Sequence, residues 1–168
     1  MTQTLAAFAA RCREILLAEN NSAGRRKVAA LLQEALHDEA FVAAQFDEAS
    51  PERKIVYEDP DLGFCILAHN YTTSKDSPPH DHGPSWAIYG QARGETLMSD
   101  WTLLEPASAD HPGKVKKGRD YKLTPGEAHV YNEGDLHSPS RTGPTRLIRL
   151  EGTNMDKVKR LRFEPVAA

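Results

Sequence analysis

The residues best suited to chemistry are three histidines drawn from two distant stretches of chain. In Pro78-Pro79-His80-Asp81-His82-Gly83, two imidazoles stand two positions apart. On an extended strand such positions project from one face with Cβ atoms roughly 7 Å apart, and the intervening Asp81 points to the other face. Two imidazoles so placed can converge on one metal ion at nitrogen–metal distances of ~2.1 Å. His-x-His pairs also occur by chance on exposed loops, so a third donor is needed. A second constellation supplies one: Gly126, then Asn132, Gly134 and His137 read as a strand, a tight glycine-containing turn and a histidine opening the next strand. That arrangement can carry a remote imidazole into the interior of a barrel. His80, His82 and His137 are therefore the expected metal ligands.

The elements that must position these residues change character along the chain. In the first part, Leu5, Phe8, Ala9, Cys12, Ile15 and Leu16 recur at helical spacing. Asn20-Asn21-Ser22 breaks that helix, and Ser22 is expected to cap a second one that carries Val28, Leu31, Leu32, Ala35 and Leu36 on one side. A short third turn is expected from Asp38 to Phe46. Residues 1–48 thus read as a helical segment that covers a sheet. From Lys54 onward, short runs rich in β-branched and aromatic residues take over: Lys54–Tyr57, Gly63–Leu67, Ala87–Tyr89 and Leu147–Leu150. Turn signals separate them, including Asp59-Pro60-Asp61-Leu62-Gly63, Pro78-Pro79, Pro125-Gly126 and Gly143-Pro144. Many short strands without intervening helices predict a β-barrel or sandwich over residues 49–168. Pro106–Arg119, rich in Pro, Gly, Ser and Lys, reads as an exposed loop.

Composition narrows the function classes. The chain has 168 residues, 39% hydrophobic and 27% charged, which suits one globular domain. A net charge of −3, with Lys and Arg dispersed, gives no electrostatic case for nucleic acid. Cys12 and Cys65 read as two reduced, buried thiols, although one disulfide would also satisfy the count. The apolar stretch Leu5–Ala10 lacks a basic flank and is interrupted at Arg11 and Arg13, and no run is long enough to span a membrane. A cytoplasmic location is expected.

With these residues in view, the chain resembles the cupin family. His80 and His82 match its first motif, with Gly94 in register, Ser74 at the first glycine and Ala87 in the usual glutamate slot. Gly126, Gly134 and His137 match its second motif, with Asn132 in place of proline and Arg141 in place of asparagine. The resemblance spans roughly residues 57–156 and implies a mainly β double-stranded β-helix (jelly-roll) barrel with the metal inside. Within the cupins, Tyr57–Phe64, Pro79–His82, Gly94-Glu95-Thr96 and Gly134–His137 are similar to the thiol dioxygenases, the group of cysteine and 3-mercaptopropionate dioxygenases. That similarity implies a three-histidine Fe(II) site that oxidises a small thiol to a sulfinate with O2. The cysteine–tyrosine cross-link of the group's mammalian-type enzymes has no counterpart, the cysteine slot being Ala87. Its Ser-His-Tyr series falls on Leu147, Arg149 and Glu151.

Three further residues are candidates for the chemistry. Tyr89, two positions beyond Ala87 on the same strand face, can donate a hydrogen bond to bound oxygen or substrate. Arg149 and Glu151 share a strand face; Arg149 either anchors a substrate carboxylate or pairs with Glu151. Arg141 and Arg146 are weaker candidates for the anchoring role. His129 and His69 read as satisfied structural histidines that can line the cavity, whereas His37 and His111 are not expected as ligands. Trp86 and Trp101 read as core or cavity wall. The expected partners are a small-molecule substrate and O2, with no nucleic acid and no membrane, and a homodimer as a compatible assembly. The competing readings are a three-histidine dioxygenase that cleaves a diketone or phenolic ketone, and a non-catalytic cupin that binds metal or a small ligand.

Overall fold

Three helices lead into ten strands in the computed structural model, which describes residues 2–167. Helix α1 spans Leu5–Ala18 and is capped by Thr4, whose Oγ1 accepts the Ala7 N–H at 3.1 Å. Helix α2 spans Ser22–Leu36, and its cap is Asn21 rather than Ser22: the Asn21 Oδ1 accepts the Gly24 N–H at 3.0 Å. Ser22 is instead the first helical residue, and its hydroxyl accepts hydrogen bonds from Arg26 and Asn132. Helix α3 spans Glu39–Ala44, with Asp38 accepting the N–H groups of Ala40 and Phe41. No described helix is long and apolar enough to cross a membrane.

The strands are β1 (Lys54–Glu58), β2 (Cys65–Tyr71), β3 (Lys75–Asp76), β4 (Ala87–Arg93), β5 (Thr96–Glu105), β6 (Gly113–Leu123), β7 (Ala128–Tyr131), β8 (Leu136–Arg141), β9 (Thr145–Glu151) and β10 (Phe163–Pro165). They form two five-stranded sheets, ordered β1-β2-β9-β4-β7 and β10-β6-β5-β8-β3. From β2 to β9 this is the strand order of a double-stranded β-helix: the chain passes repeatedly between the sheets, and first and last strands of that run lie side by side. The mainly β barrel with an N-terminal helical segment is the fold class expected from the sequence.

Both faces of the first sheet are buried, for different reasons. Ile66, Ile88, Ile148 and Leu150 face the helices, where they pack with Phe8, Cys12, Leu16, Val28, Leu32 and Phe41. Each such aliphatic side chain, fully buried, contributes about 1.5–3 kcal/mol. The alternate positions Ala87 and Tyr89 face inward and pack with Met98, Leu123 and Tyr131. This parity leaves the barrel interior to aromatic and polar groups, which is where the histidines arrive.

One expected loop is largely strand. Only residues 106–112 connect β5 to β6; Gly113 to Arg119 belong to β6, which pairs with β5 through Leu103↔Val115 and Thr102↔Lys116. Val115 is fully buried while its lysine neighbours extend to solvent, so a composition that reads as loop is that of a hairpin strand with one wet face. Cys12 and Cys65 are both free and buried.

Candidate metal centre

Backbone pairing brings the two histidine stretches together. The His80 N–H donates to the His137 carbonyl at 3.0 Å, and the His137 N–H donates to the His80 carbonyl at 2.9 Å. Residues opposed in this way on antiparallel segments project side chains from the same face. The His80 and His137 rings accordingly lie 4.6 Å apart, centroid to centroid. His82 reaches the same point by a different route from the one expected. It lies outside any strand, just before a turn that Asp81 closes by accepting the Gly83 N–H at 2.9 Å. A bend therefore aims the His82 ring, in place of the extended strand expected from the sequence.

The three imidazoles present ligand atoms all within 4.8 Å of one another. His82 Nε2 and His137 Nε2 are 3.3 Å apart. Donors bonded at ~2.1 Å and subtending tetrahedral or octahedral angles lie about 3.0–3.4 Å apart, so this separation fits a single metal ion. Ring orientation is fixed from behind. His80 Nδ1–H donates to the Pro78 carbonyl at 2.8 Å and His137 Nδ1–H to the Asp135 carbonyl at 2.9 Å. Carbonyls only accept, so in both neutral rings the lone pair is on Nε2, the atom a metal would take. Tyr131 stacks on His137 with ring centroids 4.0 Å apart and holds its plane.

His82 has a different environment. Its Nδ1 lies 3.3 Å from a guanidinium nitrogen of Arg160, which can only donate. The neutral ring therefore carries its proton on Nε2, which donates to the Tyr89 hydroxyl at 3.0 Å. Tyr89 in turn donates to His137 Nε2 at 3.1 Å. The donors and acceptors form one consistent chain from Arg160 to Asp135.

Burial sets the charge of this cluster. It pushes His80 down to about 4, and drives His82 and His137 far below the ordinary imidazole range, with neighbouring imidazoles and the Arg149 and Arg160 cations adding to the effect. All three are neutral near pH 7, as ligands must be. Burial also raises Tyr89, outweighing the nearby Arg149 cation, so its side chain is an un-ionised phenol.

The cluster opens on a cavity of about 480 Å³. His80, Tyr89 and Arg149 line it, together with Arg141, Arg160 and Tyr71. Of the other candidate residues, Glu151 does not reach the cavity wall. It is buried beside Arg149, 3.5 Å from its guanidinium and 3.2 Å from that of Arg53. Arg146 is turned away and donates to Asn70 at 3.1 Å. His69 is buried and bonded to the Tyr71 hydroxyl at 3.1 Å, while His129 borders a separate cavity with Asp100 and Arg119. Trp86 is in the helix–sheet core. Trp101 donates to the Ser138 hydroxyl at 2.8 Å. Sequence reasoning placed Arg141 second to Arg149 and missed Tyr71 and Arg160. Arg160 lies beyond the last motif, and no local pattern marks it.

No family model matches the chain, and no curated protein matches it in sequence. Solved structures of similar fold include KdgF from Halomonas sp., with a TM-score of 0.48, 20% identity and coverage of 70% of this chain and 97% of that one. A cupin superfamily protein from Desulfitobacterium hafniense DCB-2 gives a TM-score of 0.46, 11% identity and coverage of 67% and 89%. An oxalate oxidase in complex with the substrate analogue glycolate gives 0.44, 19% identity and coverage of 64% and 55%. These are likenesses of fold alone.

Proposed function

We propose that the protein is a non-haem iron(II) dioxygenase that converts a small thiol acid to its sulfinate. The observation that carries this reading is the donor set: three neutral imidazoles, two buried and one half-buried, with no carboxylate among them, beside a cavity walled by guanidinium groups. A ferrous ion held by three uncharged donors would keep its full positive charge and supply sites for an anionic co-ligand and for O2. A thiolate is such a co-ligand. The net change, R–SH + O2 → R–SO2H, places both oxygen atoms on sulfur and needs no external reductant.

The chain's own residues divide the remaining work. The Pro78 and Asp135 carbonyls hold the His80 and His137 rings in the ligating tautomer. Tyr89, an un-ionised phenol within 3.1 Å of two ligand nitrogens, offers one hydrogen bond to a sulfur or oxygen atom brought to them. Arg149 is positioned to bind a carboxylate, with its ring-stacked guanidinium 4.0 Å from the Tyr89 ring and Glu151 limiting its movement. Motif matches to the thiol dioxygenases and the double-stranded β-helix both support the reading. The lost cross-link and Ser-His-Tyr series direct it to thiol acids as a class rather than to cysteine.

The test is anaerobic loading with ferrous iron, followed by oxygen-electrode measurements with cysteine, 3-mercaptopropionate, cysteamine and acetylacetone. O2 uptake with a thiol acid, a matching sulfinate product, and loss of both iron and uptake in His82→Ala and His137→Ala are expected. Uptake with acetylacetone alone, or with nothing, would overturn the proposal.

A further inference from the structure

Arg141 is the largest fully buried side chain in the protein, 1% exposed. Its Nε and Nη2 have no hydrogen-bond partner, and no carboxylate lies within 4.0 Å of it among the described residues. Its guanidinium stacks over Tyr71, 4.5 Å from the ring centroid, with its edge on the same cavity as the histidine cluster. Arg149 borders that cavity too. It is 8% exposed, its Nε is unpartnered, and its one carboxylate neighbour, Glu151 at 3.5 Å, is shared with Arg53 at 3.2 Å. The exposed Arg160 extends the same wall. The lining's one carboxylate, Glu164, is engaged by Lys114 at 2.8 Å.

Two buried cations facing one cavity repel each other; Arg141 loses hydration without gaining an anion, and Arg149 shares its one anion, Glu151, with Arg53. Burial accordingly lowers the affinity of Arg141 for its proton. A fold retains such a pair at a stability cost, and the unpartnered N–H groups give its use. Each guanidinium fork matches a planar oxyanion, such as a carboxylate.

We infer that this cavity binds a small dianion, a dicarboxylic acid, with Arg141 and Arg149 each taking one carboxylate. The inference rests on the thiol-acid reading to the extent that it specifies that acid: the preferred thiol carries two carboxylates rather than one. The anion site itself stands on the arginines and needs no metal.

Binding to the metal-free protein is therefore the test. Succinate and propionate are titrated calorimetrically and by their effect on Tm. Succinate is expected to bind at least about tenfold more tightly than propionate, the gain of one further charge-assisted contact. That preference should disappear in both Arg141→Gln and Arg149→Gln. Without ligand, Arg141→Gln should keep or raise Tm, since an unpaired buried charge is removed; Arg141→Lys should retain part of the preference. Equal binding of the two acids, or a succinate preference that survives Arg141→Gln, would overturn the inference. With iron loaded, mercaptosuccinate is compared with 3-mercaptopropionate in the oxygen electrode. Succinate preference without uptake by either thiol would count against the dioxygenase and leave the dianion site standing. Uptake that favours 3-mercaptopropionate, with no succinate preference, would do the reverse.

Discussion

Arg25 of helix α2 grips Glu133, four residues before His137, through two hydrogen bonds of 2.7 and 2.8 Å, and takes Asn132 Oδ1 as well at 3.1 Å. The helical segment thereby holds the β7–β8 turn that delivers a candidate ligand. Gly134 completes that turn at φ +80°, a conformation that other residues rarely adopt. Arg25 is nearly buried, whereas the Glu133 side chain is 46% exposed, so the pair is partly screened by solvent. Arg25→Ala is expected to cost about 1–2 kcal/mol, a Tm fall of roughly 2–8 °C. Ferrous iron affinity, measured by competition with a chelator, should weaken along with it. An unchanged affinity would show that the turn holds His137 without help from the helix.

Acid should destabilise the metal-free protein through its histidines. Burial lowers His80 to about 4 and drives His82, His137 and His69 well below the ordinary imidazole range, against about 6.5 in an unfolded chain. Between those values the unfolded state binds more protons, so stability rises with pH. The contribution is complete above about 6.5 and is lost as pH falls toward about 4. Urea midpoints at a series of pH values should decline across that window. Metal loss in the folded protein follows the folded values, so dialysis should show release nearer pH 4 than the pH of about 6 at which ordinary imidazoles would let go. Release complete at pH 6 would contradict this burial effect.

Arg160 would compete with a metal ion at His82. Its guanidinium donates to His82 Nδ1 and thereby keeps the ring's proton on Nε2, the nitrogen that faces the other two ligands. Arg160→Gln removes both that donor and a nearby cation. Ferrous iron or zinc should then bind about 3–10-fold more tightly, as one weak charge-assisted contact is released. Weaker binding in this variant would mean that Arg160 supports the loaded site.

At Gly90 helix α2 packs directly against the first sheet. A Cβ there would lie 2.7 Å from Leu32 Cδ2 and 2.8 Å from the Ile148 carbonyl oxygen. The leucine tip can shift, but the paired backbone cannot. Gly90→Ala is expected to destabilise by about 1–3 kcal/mol, read from chemical denaturation. A neutral result would show that the helix layer floats on the barrel.

The sequence by itself determined a good deal. Helical periodicity around Phe8 to Leu36 and short β runs from Lys54 are local patterns, and the elements that formed follow them. The paired motif spacing around His80, His82 and His137 named the candidate donors, because ligand chemistry restricts residue type. Where composition misled, as with the lysines of β6, side chains report solvent exposure and cannot tell a loop from the wet face of a paired strand. Tertiary structure alone decided which groups face the cluster. Arg141 and Arg149 are separated by a turn, and Arg160 lies past the last long strand. Only closure of the sheets brings all three guanidiniums to one cavity beside Tyr89. Strand parity specifies a face, but the neighbours across a barrel come from pairings between distant segments, whose register no local spacing encodes.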